Sequence, residues 1–162
     1  MKTTTQPKAQ RILLVCLLVA ALTSAALFGA CSAGSQAAGH GGGEPITVSL
    51  SINCRLAVEA GNAVALAIAD SNGGIYESTL TLESGATVYA ALEASGVRTD
   101  TRNSSMGIYL IGIGGLSEGA IGSQSGWIYY VNGVAGNVSS NLWELQDGDA
   151  IEWVYVVEPI QP

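Results

Sequence analysis

The chain has 162 residues, with 13 acidic and 6 basic side chains and a net charge of −7 at pH 7. A surface of that sign repels nucleic acid and anionic lipid headgroups, so both are excluded as electrostatic partners. One histidine and three cysteines leave no zinc-ligand spacing and no disulfide framework to read.

Residues 1–30 read as an export signal. Lys2, Lys8 and Arg11 precede an apolar run from Ile12 to Ala30 that ends in small residues. Gly29 and Ala30 directly before Cys31 resemble a bacterial lipobox, with Phe28 where Leu is favoured. On that reading the segment is a lipoprotein signal peptide and Cys31 is the lipidated first residue of the mature chain. The protein is then extracytoplasmic, bacterial, and held to the cell membrane through the lipid on Cys31. An ordinary signal peptide cut near Ala30, or a retained transmembrane anchor, are the alternatives. Cleavage removes three basic side chains and no acidic one. Arg55, Arg98 and Arg102 are left against 13 acids, a net charge of −10.

Residues 31–45, "CSAGSQAAGHGGGEP", are Gly, Ala and Ser with little bulk, a flexible tether. The single histidine, His40, lies in it. Residues 46–158 then form one domain, about 110 residues around a single core. "ITVSLSIN" alternates and is β-branched, a strand over 46–54 that makes Cys54 a buried small hydrophobe. "AVALAIAD" alternates too. With "GIYESTLTLES" beyond the Asp70–Gly74 turn cluster, it predicts a hairpin.

"SGATVYAALEASG" is the one predicted helix, capped by Ser84 and stopped at Gly96, with Val88, Ala91 and Leu92 on one face. "MGIYLIGIGGL" predicts a strand ending in glycine turns. "SGWIYYVNG" predicts a strand ending at an Asn132-Gly133 hairpin turn, and the turn "QDGD" leads into a last strand over Ala150–Val157. The fold class expected is α+β, β-grasp-like, with small antiparallel sheets packed on one helix.

Enzyme signatures are missing, and no catalysis, metal or cofactor is expected. "GIGGLSEG" fails the dinucleotide pattern because Ser117 stands where the third glycine belongs. In "GSQSG", Gln124 occupies the nucleophile position, and no imidazole is present in the domain to activate Ser123 or Ser125. Asp147, Asp149 and Glu152 do not follow a calcium-loop spacing, and read as a turn with Gly148 at positive φ.

The aromatic strand raises the functional question. Trp127, Tyr129 and Val131 share one face, and Ile128 and Tyr130 the other. Trp153, Trp143 and Tyr109 are candidate neighbours. A sheet with one helix buries one face fully, so one or two of these aromatics are expected to be exposed and to hold something.

The spaced pattern "GW-x-Y-x-VNG … L-x-DGD-x-I-x-W-x-Y" is matched from Gly126 to Gly133 and from Leu145 to Tyr155. It resembles the signature of bacterial surface proteins that carry the DUF4430 domain, which is similar to the C-terminal β-domain of transcobalamin and intrinsic factor. "TVSLSINC" and "LESGATVYAAL" fit the same family's first strand and helix, so the resemblance spans nearly all of 46–158. In transcobalamin-like proteins the β-domain closes over one side of cobalamin and a helical domain holds the other. The resemblance therefore implies half a corrinoid site around Gln124, Ser125, Trp127, Tyr129 and Asn132. The aromatic faces would cover the corrin, and the amides and the hydroxyl would bond its amides. With no histidine in the domain, nothing is placed to ligate cobalt. The expected function is a surface-tethered module that captures cobalamin or another corrinoid, without catalysis. It would pass the ligand to a transporter or act beside a helical partner protein. The alternative is a β-grasp interaction module for a protein partner or a surface glycan.

Overall fold

Strand β1 (Ile46–Asn53) keeps the alternation of its sequence: Ile46, Val48, Leu50 and Ile52 are buried, while Thr47 and Ser49 face solvent. The computed structural model describes residues 43–157. The expected signal peptide, the lipidation site Cys31 and the tether up to residue 42 lie outside the described residues.

Five strands make the larger sheet. They are β1, β2 (Gly74–Leu82), β6 (Gly126–Val131), β7 (Val134–Ala135) and β8 (Ala150–Val156), in the order β2-β1-β8-β6-β7. β1 runs parallel to β8, and every other neighbouring pair is antiparallel. A second, antiparallel sheet holds β3 (Thr99–Ser104), β4 (Gly107–Ile113) and β5 (Leu116–Ser117). Three short helices complete the described residues: α1 (Arg55–Glu59), α2 (Ala63–Ile68) and α3 (Val88–Ala94).

The main core lies on the inner face of the larger sheet. Val48, Leu50 and Ile52 of β1 meet Ile151 and Trp153 of β8, Tyr129 and Val131 of β6, and Val88, Ala91 and Leu92 of α3. Burial of each leucine- or isoleucine-sized side chain stabilises the fold by about 1.5–3 kcal/mol. A second cluster of Cys54, Ala57, Ala65, Leu116 and Tyr155 packs under α1 and α2. Burial and the nearby Asp70 carboxylate push the Cys54 thiol up, which keeps it a small hydrophobe.

Sheets dominate, with 43% of the described residues in strands and 16% in helices, so the α+β expectation holds in its coarse form. The larger sheet is mixed, however, not wholly antiparallel, and the helices number three among the described residues, not one. The expected hairpin over 63–84 is replaced: Ala63–Ile68 is helix α2, and β2 pairs with β1 instead. Asn62 decides this locally, because its Oδ1 accepts from Val64 N at 3.0 Å and Ala65 N at 3.1 Å, an N-cap. Alanine at alternate positions favours helix, and Val64 and Leu66 are simply left exposed. Asp70 still makes its turn, accepting from Asn72 N at 2.7 Å and Gly74 N at 2.9 Å, but the turn joins α2 to β2. The helix expected from Ser84 starts later. Thr87 is its N-cap and accepts from Ala90 N at 3.2 Å.

Both turns around the last strands follow their glycines. Asn132 and Gly133 have φ of 53° and 78°, the backbone of a type I′ hairpin, and Gly148 has φ 83°. No helix of the described residues is long and apolar enough to cross a membrane. Among the described residues, no three His, Cys, Asp or Glu side chains are grouped to hold a metal ion.

Gly73 and Gly133 separate two costs of a side chain. Both have positive φ, but a Cβ on Gly73 would lie 2.3 Å from Arg55 Cα, whereas one on Gly133 meets nothing within 4 Å. Gly133→Ala is expected to cost about 1–2 kcal/mol, the left-handed strain alone. Gly73→Ala adds a backbone clash, and its urea midpoint is expected to fall well below that of Gly133→Ala at similar m-value. Equal midpoints would refute the close approach of Gly73 to α1.

Candidate functional site

The loop from Leu116 to Ser125 is closed from the core outward. Tyr155 is fully buried on β8, and its hydroxyl donates to Ser117 O at 2.8 Å and accepts from Ala120 N at 3.2 Å. Ser125 Oγ donates to Gly122 O at 2.8 Å, accepts from Ile121 N at 3.2 Å, and lies 3.0 Å from the Tyr155 hydroxyl. Two hydroxyl hydrogens serve three oxygen–oxygen contacts, so they fill two of the three at any moment.

The aromatic strand is set by the same packing. Trp127 meets Tyr155 edge to face at 5.2 Å and donates from Nε1 to Leu116 O at 2.8 Å. Tyr129 stands between Trp143 at 6.0 Å and Trp153 at 5.4 Å, and its hydroxyl donates to Val138 O at 2.7 Å. Burial pushes the Tyr129 phenol up, and the bond to Val138 partly offsets this. The face shared by Trp127, Tyr129 and Val131 is thus the core face of the sheet. Of the aromatics considered above, Tyr109 alone is exposed; Trp127, Tyr130 and Trp143 are half-buried, and Tyr129 and Trp153 are buried.

Between β4, the first half of β6 and the loop 136–140 lies an open cavity of about 620 Å³. That volume falls in the range of small-molecule sites. Trp127, Tyr129 and Trp153 contribute to its wall, and Gln124, Ser125, Glu118 and Asn137 add polar atoms. Its apolar rim is open to solvent: Met106 is 79% exposed, Val138 46% and Tyr109 41%. Tyr109 is itself held. Its hydroxyl donates to a Glu118 carboxylate oxygen, and the Arg102 guanidinium sits 4.3 Å over its ring. The bond to Glu118 pushes the Tyr109 phenol up, with partial burial and the carboxylate charge adding to it.

Four of the five sequence-derived ligand residues line this cavity: Gln124, Ser125, Trp127 and Tyr129. Their freedom differs. Ser125 and Tyr129 spend their hydroxyls inside the fold, whereas Gln124 is exposed at the cavity. Asn132 is not among the lining residues. It forms the hairpin turn, donating from Nδ2 to Asp149 Oδ1 at 2.8 Å and accepting at Oδ1 from Ala150 N at 2.9 Å. Met106, Glu118, Asn137 and Val138 also reach the cavity, brought by the β3–β4 hairpin, the segment after β5 and the 136–140 loop. No local spacing in the sequence signals them. Trp153 carries the one buried side-chain polar atom without a partner among the described residues, its Nε1.

Fold and cleft together define a small, sheet-dominated domain whose aromatic wall is shared between core and cavity. The comparisons narrow this: residues 85–156 match the family DUF4430, a domain of unknown function. Haptocorrin, in a crystal structure in complex with Cbi, is similar in fold, with a TM-score of 0.51 and 16% identity over 70% of this chain. The chain spans 25% of that haptocorrin chain. A crystal structure of a "putative metal binding protein from Ruminococcus gnavus ATCC 29149" has a TM-score of 0.47 and 15% identity, covering 70% of this chain and 99% of that one. No curated protein matches the sequence.

Coupling across the Ser125–Tyr155 contact is measurable. Ser125→Ala and Tyr155→Phe are each expected to destabilise by about 1–3 kcal/mol, because each leaves a buried group short of a partner. The double variant is expected to cost less than the two together, by at least about 0.5 kcal/mol in denaturant unfolding. Strict additivity would show that the two hydroxyls act separately.

Proposed function

We propose that this protein is a non-catalytic capture module for a large, partly apolar small molecule of the corrinoid class. It is read as tethered outside the cell through a lipid on Cys31, on a β-grasp-like scaffold in which α3 crosses the inner face of the sheet. The observation that carries the reading is the cavity of about 620 Å³ with a fixed aromatic wall and an exposed apolar rim at Met106, Tyr109 and Val138. Such a site offers flat apolar contact and a few polar atoms for amide groups, with little ordering cost on binding. The fold likeness to haptocorrin, solved with the cobalamin analogue Cbi, supports the ligand class. A helical partner protein or a transporter would complete or relieve the open side. A protein partner is the second reading, favoured by the exposure of Met106 and Val138 beside the cavity.

Titration of the full chain with cobalamin, followed by tryptophan fluorescence with absorbance controls, tests the first reading. A saturable change is expected. Gln124→Ala is expected to weaken it about two- to tenfold, the worth of one hydrogen bond, without changing the unfolding midpoint. No saturable change up to millimolar cobalamin would remove direct corrinoid binding by this chain and leave the protein-partner reading in front.

A further inference from the structure

The far edge of the larger sheet carries a second surface. β2 pairs with β1 and with no other strand among the described residues. Its length, Gly74–Leu82, gives about 30 Å of open ladder. The usual guards of an edge are missing: β2 holds no Lys and no Pro, and the register irregularity lies at its Gly74 end.

The phase of this ladder follows from β1. Ser49 N donates to Asp149 O and Thr47 O accepts from Gly148 N, so the odd-numbered residues of β1 turn their backbone toward β8. The even-numbered ones turn to β2, where Val48 faces Leu80 and Leu50 faces Ser78. In an antiparallel ladder, Leu80 and Ser78 then spend their N–H and C=O on β1, while Glu77, Thr79 and Thr81 point theirs outward. On the inner face, Tyr76, Leu80 and Leu82 are only partly buried against the core, because no strand lies beyond them.

We propose that the β2 edge is the docking site for a second copy of this chain, joined antiparallel about a twofold axis at Ser78. Outward-pointing residues must face outward-pointing residues, so the axis has to pass through a residue, not between two. An axis at Glu77 would set two carboxylates against each other. An axis at Ser78 sets Glu77 against Thr79 of the second copy, twice, and Tyr76 against Leu80 of the second copy on the inner face. It also pairs the whole strand, Gly74 against Leu82. An axis at Thr79 shortens the ladder and places Ser78 against Leu80. The strand is thus complementary to itself in register, charge and apolar face, which singles out a copy of this chain over an unrelated strand. The other edges fit less well: β7 has two residues, and β3 carries Asp100 and Arg102.

Sedimentation of the full chain from low-micromolar to millimolar concentration tests this. Reversible doubling of mass is expected, strengthening with salt because each copy carries a net charge of −7. Thr79→Pro removes an outward N–H that the monomer does not use, and is expected to leave a folded monomer at every concentration. Ser78→Cys is expected to cross-link to itself on oxidation, because a non-hydrogen-bonded pair at the axis brings the two Cα atoms to about 4.5 Å. Thr81→Cys lies far from its own copy and is expected to cross-link no more than the native chain. A chain that stays monomeric, a dimer that survives Thr79→Pro, or equal cross-linking by the two cysteine variants would each overturn the proposal. The cysteine pair decides the matter even if the proline variant fails to fold.

Discussion

The parallel pairing of β1 with β8 is the constraint on which the rest of the domain depends. Ser49 lies beside Ala150, Leu50 beside Ile151 and Ile52 beside Trp153. Parallel neighbours cannot be joined by a tight turn, so everything between them has to serve as the crossover. The register is pinned where β8 begins. Thr47 N donates to Asp147 Oδ1 at 2.7 Å, and Gly148 N donates to Thr47 O at 2.8 Å. A slip of one residue would break both bonds and would turn Ile151, Trp153 and Tyr155 out of the core. The carboxylates of the Asp-Gly-Asp turn are therefore used to hold the sheet together.

Tyr155 carries that order outward. Its ring belongs to the core under α1 and α2, and its edge-to-face partner Trp127 packs against both cores. Its hydroxyl holds the loop that ends at Ser125. The cavity wall is thus an extension of the core, fixed before any ligand arrives. Trp153 marks the limit of this arrangement. Its buried Nε1 has no acceptor among the described residues, a loss of about 1–3 kcal/mol that the surrounding packing has to offset.

The sequence was legible wherever backbone chemistry is local. Asn132-Gly133, Gly148 and the alternation of β1 and β8 each act within a few residues, and the strands and turns they predict are present. It misled where two local signals competed. In Ala63–Ile68 the alternation of small and large apolar residues mimics a strand, but the Asn62 cap and the alanines act on the backbone directly. The site was half legible for a related reason. Trp127 and Tyr129 stand in a recognisable pattern, and they do reach the cavity. Whether a hydroxyl or amide beside them is free depends on partners distant in sequence, such as Tyr155 for Ser125 and Asp149 for Asn132. Met106 and Val138 enter through a hairpin and a loop that no periodicity places against β6.

The two surfaces lie at opposite ends of one sheet. From β2 to β6 the order passes through β1 and β8, three strand spacings or about 14 Å. Pairing of two copies at β2 therefore leaves both cavities open, and neither surface competes with the other for a residue. The division also follows from composition. The aromatic side chains cluster around β6 and β8, where two cores and a cavity need large rigid faces, whereas β2 has one aromatic, Tyr76, and its outer half is Ser, Thr and Leu beside a single Glu. A strand of that kind has little side-chain area to recognise a particular foreign surface, but its backbone can recognise another strand in a matching phase. Pairing through the backbone would place the two cavities on one continuous sheet. A ligand or partner with two contact points would then gain avidity without any new side-chain contact.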